Sequence, residues 1–416
     1  MQQPPDAPSE LFNVVTPDEA WRRLSQHLRP LTRRETLPPS QALARVTARS
    51  LPSPGDLPAF QRSTMDGYAV RAEDTYGASE GLPALLRLAG EVPMGRASQL
   101  SLAPGQAALI HTGGMVPAGA DAVVMVETSQ RYGEEVEVYR PVATGENTVQ
   151  VGEDVRRGEP ILPAGQLLRP QDLGALAALG VSEVEVVARP RVAILATGDE
   201  VVPPEREPVP GQVRDVNSGL LAALVQGAGG EPLALGVAPD DYETILRLSR
   251  EGLAAADALV VAAGSSVSTR DVTARALGEL GQPGVLVHGV ALRPGKPTIL
   301  GAAGGKPVFG LPGNPASAFT TARLFLLPAI YRLLGLAQPP RPATARARLT
   351  ANVPSATGRE DFVPVRLLER DGETWAEPVF GKSNLIFVAV RADGFLRVAL
   401  NLGGLAAGEQ VEVTLY

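Results

Sequence analysis

The residues best suited to chemistry lie in three loops that carry acids or cations. TGDE (197–200) and AGSSVSTRD (263–271) follow apolar runs and supply carboxylates, the second ending at Asp271 just before a predicted helix. RPGKP (293–297) adds an arginine and a lysine. Carboxylate oxygens suit Mg²⁺, whereas cations suit phosphate. Each loop alone is also typical of a surface turn, but together they predict a site for a phosphorylated ligand with magnesium.

A fourth loop, GLPGNP (310–315), is dense in residues that shape the backbone. It follows an apolar strand at 307–311, and Pro315 suits the first position of the next helix. Gly310 and Gly313 are expected to let the backbone approach a ligand. Free N–H groups at the helix start would then face an anion.

Three further segments fit either a site or an ordinary turn: STMDGYAV (63–70), HTGGMVPAGAD (111–121) and GEDVRRGEP (152–160). A hairpin turn, a glycine-rich loop and a charged surface turn would explain them equally well. His111 and His288 are predicted to be polar core or surface residues, because neither has a partner at metal-ligand spacing.

After Pro190, apolar strands alternate with helices, which predicts the domain that positions these loops. Nearly continuous apolar strands such as RVAILAT argue for a parallel, doubly wound sheet covered on both faces. Ligands of such sheets bind outside the carboxyl ends of the strands. A long helix over 315–336, bent at Pro328, is predicted to close the domain.

The flanking regions predict smaller elements. Residues 16–19 form a capping box ahead of a first helix, and a second helix is predicted over 41–49. Short strands between Gly/Pro turns over 67–141 predict a β domain inserted into an elongated one. Strands after the linker at 338–343 predict a C-terminal β domain.

Composition and charge exclude several classes of function. The chain has 416 residues, too many for one core, and its net charge of −7 argues against nucleic acid or anionic membranes as partners. It has no cysteine, so any metal is expected to be a hard cation held by carboxylates. No apolar run is long enough to span a membrane, and the start lacks the pattern of a secretory signal. A cytoplasmic location is expected.

Eight motifs in register resemble those of the molybdopterin molybdenumtransferases, the family of MoeA and the gephyrin E domain. The motifs are STMDGYAV, TGGMVPAGADAVVMVE, GENTVQVGED, VAILATGDE, PGQVRDVNSG, RDVT, RPGKP and GLPGNPASA. The resemblance extends from about residue 12 to the C-terminus and implies a multidomain α/β plus β fold. The implied domains are a discontinuous elongated domain (12–57 and 147–188), an inserted β domain (58–146), a doubly wound molybdenum-cofactor-biosynthesis α/β domain (189–338) and a C-terminal β barrel (339–416).

The resemblance also implies an activity and partners. The implied reaction is insertion of molybdate into adenylylated molybdopterin, with magnesium-dependent release of AMP. A homodimer is implied, in which the α/β and C-terminal domains of one protomer face the β domain of the other. Contact with the molybdopterin adenylyltransferase is implied as well. The lack of cysteine fits this chemistry, because the dithiolene of the substrate supplies the soft sulfur ligands of molybdenum.

Particular residues receive roles from the same resemblance. Glu200 and Asp271 would hold magnesium, with Asp240 or Asp241 as a third carboxylate. The other implied site residues are Asp66 and Thr112 from the β domain of the partner, Asp154 from the elongated domain, and Arg293, Lys296, Pro312, Gly313, Asn314, Pro315 and Ser383 around the anionic ligand.

Two places depart from the family pattern. AGSSVSTRD stands where the family usually has GGVSVGxxD, so Ala263, Ser265 and Ser268 alter the loop. These changes are expected to affect the affinity for the nucleotide part of the ligand. The family tends to carry an arginine at Val149, and one of the two arginines after GED is the candidate to compensate.

Three other functions compete with this interpretation. A molybdopterin adenylyltransferase shares the α/β domain and the RDVT motif, but it is a short chain without STMDGYAV. A non-catalytic scaffold is disfavoured because the chain has no fused extra domain or long disordered linker. A general magnesium-dependent phosphohydrolase would not need the β domain that faces the partner.

Overall fold

The computed structural model describes residues 14–263 and 267–416, with backbone alone for residues 267–270. The helices are α1 (Pro17–Ser25), α2 (Pro170–Ala178), α3 (Asn217–Gly227), α4 (Tyr242–Ala255), α5 (Val267–Gly278), α6 (Pro315–Thr321), α7 (Leu327–Leu333) and α8 (Phe387–Val390). None of these helices is long and apolar enough to cross a membrane.

The strands of the described residues are β1 (Arg34–Leu37), β2 (Leu51–Pro52), β3 (Arg62–Ser63), β4 (Gly67–Val70), β5 (Ala84–Glu91), β6 (Gln106–Ile110), β7 (Ala122–Met125), β8 (Ser129–Tyr132), β9 (Glu135–Val138), β10 (Thr148–Val149), β11 (Pro160–Leu162), β12 (Val184–Val187), β13 (Arg191–Thr197), β14 (Val201–Val202), β15 (Val213–Arg214), β16 (Glu231–Ala238), β17 (Ala258–Ala263), β18 (Pro283–His288), β19 (Leu292–Arg293), β20 (Ile299–Ala303), β21 (Lys306–Pro312), β22 (Thr344–Leu349), β23 (Val353–Pro354), β24 (Glu360–Arg370), β25 (Glu373–Pro378), β26 (Gly394–Val398), β27 (Gly404–Leu405) and β28 (Gln410–Leu415).

The α/β domain is built on a six-stranded sheet in the order β16-β13-β17-β21-β20-β18. β16, β13, β17 and β21 are parallel, which confirms the predicted doubly wound arrangement for these strands. The expectation of a wholly parallel sheet is wrong at one edge, where β20 and β18 are antiparallel. Only Gly304 and Gly305 join β20 to β21, and so short a connection makes a hairpin because a parallel crossover needs a dozen or more residues.

The described segments that carry the candidate residues of this domain belong to one edge of this sheet. They follow the carboxyl ends of β13, β16, β17 and β21, which are neighbours in the sheet. RPGKP joins them because it precedes β20, whose first residue, Ile299, lies opposite Gly310 near the end of β21. The sheet therefore gathers segments that are more than 100 positions apart in sequence.

Two helices differ from the sequence-based expectation. α5 begins at Val267, so Asp271 lies in its second turn and not ahead of it. Acidic residues are favoured at helix N-termini, so Asp271 was expected to precede the first turn of this helix. The helix instead starts one turn earlier. The predicted 315–336 helix runs from α6 to α7 and ends at Leu333. Before Pro328 this helix contains a π-helical turn at Ala322–Leu326. The changed hydrogen-bond pattern accommodates Pro328, which has no backbone N–H to donate.

Helix α1 packs into the core of the α/β domain. Leu24 is fully buried in the same cluster as Phe309 of β21. The backbone of Val15 forms hydrogen bonds with the segment between β18 and β19. In one of them, the Ala291 N–H donates to the Val15 carbonyl at 2.7 Å. The α/β unit therefore includes this N-terminal helix in addition to the predicted range 189–338. The predicted cap is present, since the Glu19 N–H donates to the Thr16 hydroxyl at 3.2 Å.

The elongated part is a ribbon of two antiparallel chain passes. β1 pairs with β12, β2 with β11 and β3 with β10, so the β domain enters between β3 and β10. The helix predicted over 41–49 is wrong: a 3₁₀ turn at Pro39–Gln41 leads into a chain that bridges to the other pass at Val46 and Thr47. These two β-branched residues favour extended pairing over a helix.

Two further sheets complete the chain. The β domain is a six-stranded sheet in the order β7-β4-β6-β5-β9-β8. In the C-terminal domain, β24, β25, β22, β28 and β26 follow one another, and a β24–β26 pairing closes the barrel, as predicted. β19 of the α/β domain adds to this barrel in parallel with β24, with Arg293 opposite Asp361.

Arg323, in the helix that runs from α6 to α7, contacts residues of the barrel. Its guanidinium carbon lies 5.7, 5.9 and 5.2 Å from the ring centres of Phe319, Phe395 and Tyr416. Its Nη2 donates to the Leu415 carbonyl at 2.8 Å. Burial lowers the pKa of Arg323 from its usual value, yet a guanidinium stays charged at any physiological pH.

We expect Arg323→Met to lower the free energy of unfolding by about 1–2 kcal/mol, because it removes the cation–π contacts and the hydrogen bond. Urea denaturation followed by fluorescence measures the change. Arg332→Met, at an exposed position of α7, is the matched control and should change stability little. Equal effects of the two variants would contradict the role given to Arg323.

Candidate active site

A cleft of about 870 Å³ lies between the α/β domain and the barrel. Its charged lining consists of Arg293, Lys296, Arg359 and Lys382, with Asp361 as the carboxylate. The cleft is therefore positive in a chain whose net charge is −7. Such a lining favours an anionic ligand.

The RPGKP segment reaches the cleft through a turn that requires glycine. Gly295 has φ of 114°, and a Cβ there would lie 2.4 Å from Thr321 Cγ2 and 2.9 Å from Leu292 Cδ1. The turn thus packs directly on the long helix, and the exposed Lys296 side chain follows at the cleft wall.

The GLPGNP loop is joined to the barrel by Ser383. Asn314 Nδ2 donates to Ser383 Oγ at 3.1 Å, and the Ala316 N–H donates to the Ser383 carbonyl at 3.1 Å. Pro315 occupies the first turn of α6 as predicted, but the Ala316 amide is not free to bind an anion. Pro312, Gly313, Asn314 and Ser383 all line the cleft.

Gly310 has a different role from the one expected. It lies within β21, and a Cβ there would come 3.0 Å from Ile299 and 3.3 Å from Leu277 Cδ1. Its absence of a side chain serves packing inside the domain, not approach to a ligand.

The acids expected to hold magnesium lie at the same sheet edge. Glu200, Asp240 and Asp271 follow β13, β16 and β17, and the Asp240 N–H donates to Asp199 Oδ1 at 3.1 Å, which joins two of these loops. Gly198 lets the first loop turn sharply, because with φ of 149° a Cβ there would lie 2.9 Å from Glu200 Oε2. Among the described residues, no three acids or histidines are arranged to hold a metal ion alone.

The structure separates the roles of Asp240 and Asp241. Asp241 is the N-cap of α4, where its carboxylate accepts the Thr244 N–H at 2.9 Å. Hydrogen bonds from Thr244 lower the pKa of Asp241 from its ordinary value. Asp241 therefore has a structural task, and Asp240 is the better candidate for the third carboxylate.

Asp66 and Thr112 form a pair on the β domain, outside the cleft lining of the same chain. Asp66 Oδ1 accepts the Thr112 N–H at 2.7 Å and its hydroxyl at 2.9 Å. These bonds, with a smaller contribution from His111, lower the pKa of Asp66. His111 is exposed and lies between Asp66 (3.8 Å) and Glu91 (3.5 Å).

Asp154, Val149 and Ala263 are also not among the described residues that line the cleft. The exposed Asp154 sits on the ribbon, where its N–H donates to the Leu57 carbonyl at 3.0 Å. Val149 pairs with Arg62 across β10 and β3. The altered positions Ser265 and, for its side chain, Ser268 lie outside the described residues.

Four contributors to the site were missed from the sequence. Arg359, Asp361 and Lys382 line the cleft from the barrel. Asn217, buried at the start of α3, donates from Nδ2 to the Gly313 carbonyl at 2.7 Å and so holds the GLPGNP loop. The PGQVRDVNSG motif contained the signal for Asn217, but nothing local indicated its partner.

Comparison with known proteins places this chain and its fold in a class of transferases. Residues 15–180 match the MoeA N-terminal region (domain I and II), 193–332 a probable molybdopterin binding domain, and 346–416 the MoeA C-terminal region (domain IV). Molybdopterin molybdenumtransferase 2 of Mycobacterium tuberculosis is 36% identical over 91% of this chain and 94% of its own. The molybdopterin molybdenumtransferase of Bacillus subtilis is 33% identical over 96% and 93%.

A solved structure agrees with these relatives. The crystal structure of the molybdopterin biosynthesis MoeA protein from Pyrococcus horikoshii is 38% identical, with a TM-score of 0.82 over 97% of this chain and 99% of that one. The chain belongs to the MoeA family of molybdopterin molybdenumtransferases and is a transferase enzyme.

We expect Gly295→Ala to destabilise the protein by roughly 1–3 kcal/mol, because φ is positive and the added methyl group meets Thr321. Thermal unfolding measures the change. Gly305→Ala is the matched control, since Gly305 also has positive φ (84°) but has open space around its Cβ position. If both variants lost the same stability, close packing of the RPGKP turn would not be the cause.

We expect Thr112→Val to raise the pKa of Asp66 towards its ordinary value, because the hydroxyl bond is lost while the backbone bond remains. A carboxylate with a lowered folded pKa stabilises the fold above its unfolded pKa and loses that effect as pH falls through the folded pKa. In the variant the loss should therefore occur at higher pH. Carbon NMR titration of Asp66 is the measurement, and Thr144→Val, beside Asp121, should leave it unchanged.

Proposed function

We propose that this enzyme inserts molybdate into adenylylated molybdopterin, with magnesium-dependent release of AMP. The observation that carries the proposal is a positive cleft lined by the loop after β21, together with carboxylates that follow the neighbouring parallel strands of the same sheet. A ligand with a phosphoanhydride needs both, since cations hold its anionic oxygens and a divalent ion neutralises charge at the bond that breaks.

The carboxylates fit magnesium better than a metal held by protein alone. Mg²⁺ is usually bound by one or two carboxylates, with phosphate oxygens and water completing the octahedron. Glu200 and Asp271 would hold it, with Asp240 beside them. When bound, magnesium would neutralise the phosphoanhydride oxygens and ease departure of AMP.

The other residues would bind and orient the ligand. Arg293, Lys296, Arg359 and Lys382 would hold the anionic oxygens, whereas a carboxylate would repel molybdate. Asn314 and Ser383 already bond to each other, so they would fix the loop that supports the ligand. Pro312, Gly313 and Pro315 would set its backbone.

A homodimer completes the proposed site. Asp66 and Thr112 are exposed on the β domain, do not line the cleft of their own chain, and would approach the cleft of a partner protomer. Asp154 would support that approach from the ribbon. A cytoplasmic location and contact with the molybdopterin adenylyltransferase stay predictions from the sequence.

One assay tests the reaction: purified protein is incubated with adenylylated molybdopterin and magnesium, with and without molybdate, and AMP is measured by chromatography. Release that needs molybdate and stops with a chelator supports the proposal. Formation of adenylylated pterin from ATP would favour an adenylyltransferase, and release indifferent to molybdate a phosphohydrolase. Binding without turnover would indicate a scaffold.

We expect Asp271→Asn and Asp240→Asn to lower molybdate-dependent AMP release at least tenfold without loss of fold, because each removes a charge from the magnesium side. Asp241→Asn is the matched control, because an asparagine also caps a helix, so this variant should keep both the fold and the turnover. Unchanged release by Asp271→Asn, or an equal loss in all three variants, would contradict the assignment.

A further inference from the structure

We infer that Asp361 is a positioning residue that holds Arg359 and Arg293 in the orientation in which they bind the anionic ligand. The inference rests on the proposed function of the cleft, and it adds a role for a carboxylate that would otherwise oppose ligand binding.

The geometry around Asp361 is that of a buried carboxylate shared by two guanidinium groups. Its side chain is 3% exposed. Oδ1 accepts Arg359 Nε at 2.8 Å, Oδ2 accepts Arg359 Nη2 at 3.3 Å, and Arg293 Nη1 lies 3.8 Å from Oδ2. The two-point contact fixes the plane of the Arg359 guanidinium as well as its position.

The two arginines remain open to the cleft while Asp361 does not. Arg359 is 36% exposed and Arg293 62% exposed, and both line the cleft. Each guanidinium has five N–H donors, so those not turned to Asp361 are available to a ligand. The carboxylate therefore sits behind the arginines and presents them.

The backbone fixes Asp361 at the boundary between the two domains. Arg293 of β19 and Asp361 of β24 are direct partners in the parallel pairing that joins the α/β domain to the barrel. A buried carboxylate is stable only when it is paired, so Asp361 cannot turn away from its arginines without large cost. One arginine comes from each domain, and the carboxylate sets the distance between them.

Charge and orientation make opposite predictions for the loss of this carboxylate. A negative charge behind the site weakens the attraction for an anion, so by charge alone Asp361→Asn would bind a ligand more tightly. By orientation, Asp361→Asn would bind the ligand more weakly, because the ligand would then have to order two long side chains. Ordering each side chain lowers the affinity roughly three- to tenfold. The sign of the change decides between the two.

Glu360 supplies a matched control on the same strand. It is also buried (6% exposed) and also holds an arginine at two points, Arg397, at 2.5 and 2.7 Å. Neither Glu360 nor Arg397 belongs to the cleft lining. Glu360→Gln therefore disturbs a comparable ion pair in the barrel without touching the arginines of the cleft.

The experiment measures AMP binding by calorimetry for the wild type, Asp361→Asn, Glu360→Gln, Arg359→Gln and the double variant Asp361→Asn/Arg359→Gln. We expect Asp361→Asn to raise the Kd about tenfold, Glu360→Gln to leave it within twofold, and the Asp361 effect to shrink when Arg359 is already absent. Non-additivity of this kind is the signature of action through Arg359. Melting temperatures show which variants are folded.

Crystal structures of the ligand-free wild type and Asp361→Asn test the positioning independently of any ligand. Displaced Arg359 and Arg293 side chains in the variant support the inference, and unmoved ones overturn it whatever the affinities are. Tighter AMP binding by Asp361→Asn, an equal loss in Glu360→Gln, or additive effects with Arg359→Gln would also overturn it. Failure of the wild type to bind AMP would count against the proposed function and remain distinguishable from these results.

Discussion

The site depends on the docking of the β barrel against the α/β domain. Among the described residues, the contacts of that docking include the parallel pairing of β19 with β24, the bonds of Ser383 to the start of α6, and the packing of Arg323 among aromatic rings. The first two contacts involve residues that line the cleft, namely Arg293, Asp361, Asn314 and Ser383. The cleft is therefore a property of the interface between two domains, and neither domain contains it alone.

Apart from Asp361, which is buried and paired with two arginines, the positive and negative side chains of the candidate site lie in different regions. Cations gather where the barrel meets the RPGKP segment, whereas the carboxylates Glu200, Asp240 and Asp271 stay with the parallel strands. A mixed arrangement would instead allow the acids and cations to neutralise each other, and little field would remain for a ligand.

Much of the fold could be predicted, because apolar runs and glycine-rich turns are local signals. They indicated the parallel strands and the barrel, and chain order placed the acidic loops on one edge. The misses have physical causes. The helix over 41–49 lost to pairing with a chain pass more than 100 residues away, and Asp271 lies within a helix that starts one turn early. Asn217 was missed because its partner, Gly313, is 96 positions away, and Arg359 was missed because only the fold brings it to a cleft shared with the α/β domain.

The burial of α1 within the α/β core has a consequence for biosynthesis. Val15 bonds to Gly289 and Ala291, which the ribosome adds more than 270 positions later. At roughly 5–20 residues per second, the first helix emerges on the order of tens of seconds before its partners exist. During that time the apolar face of α1 cannot pack against the α/β core. The α/β domain can be completed only when translation has passed the long helix.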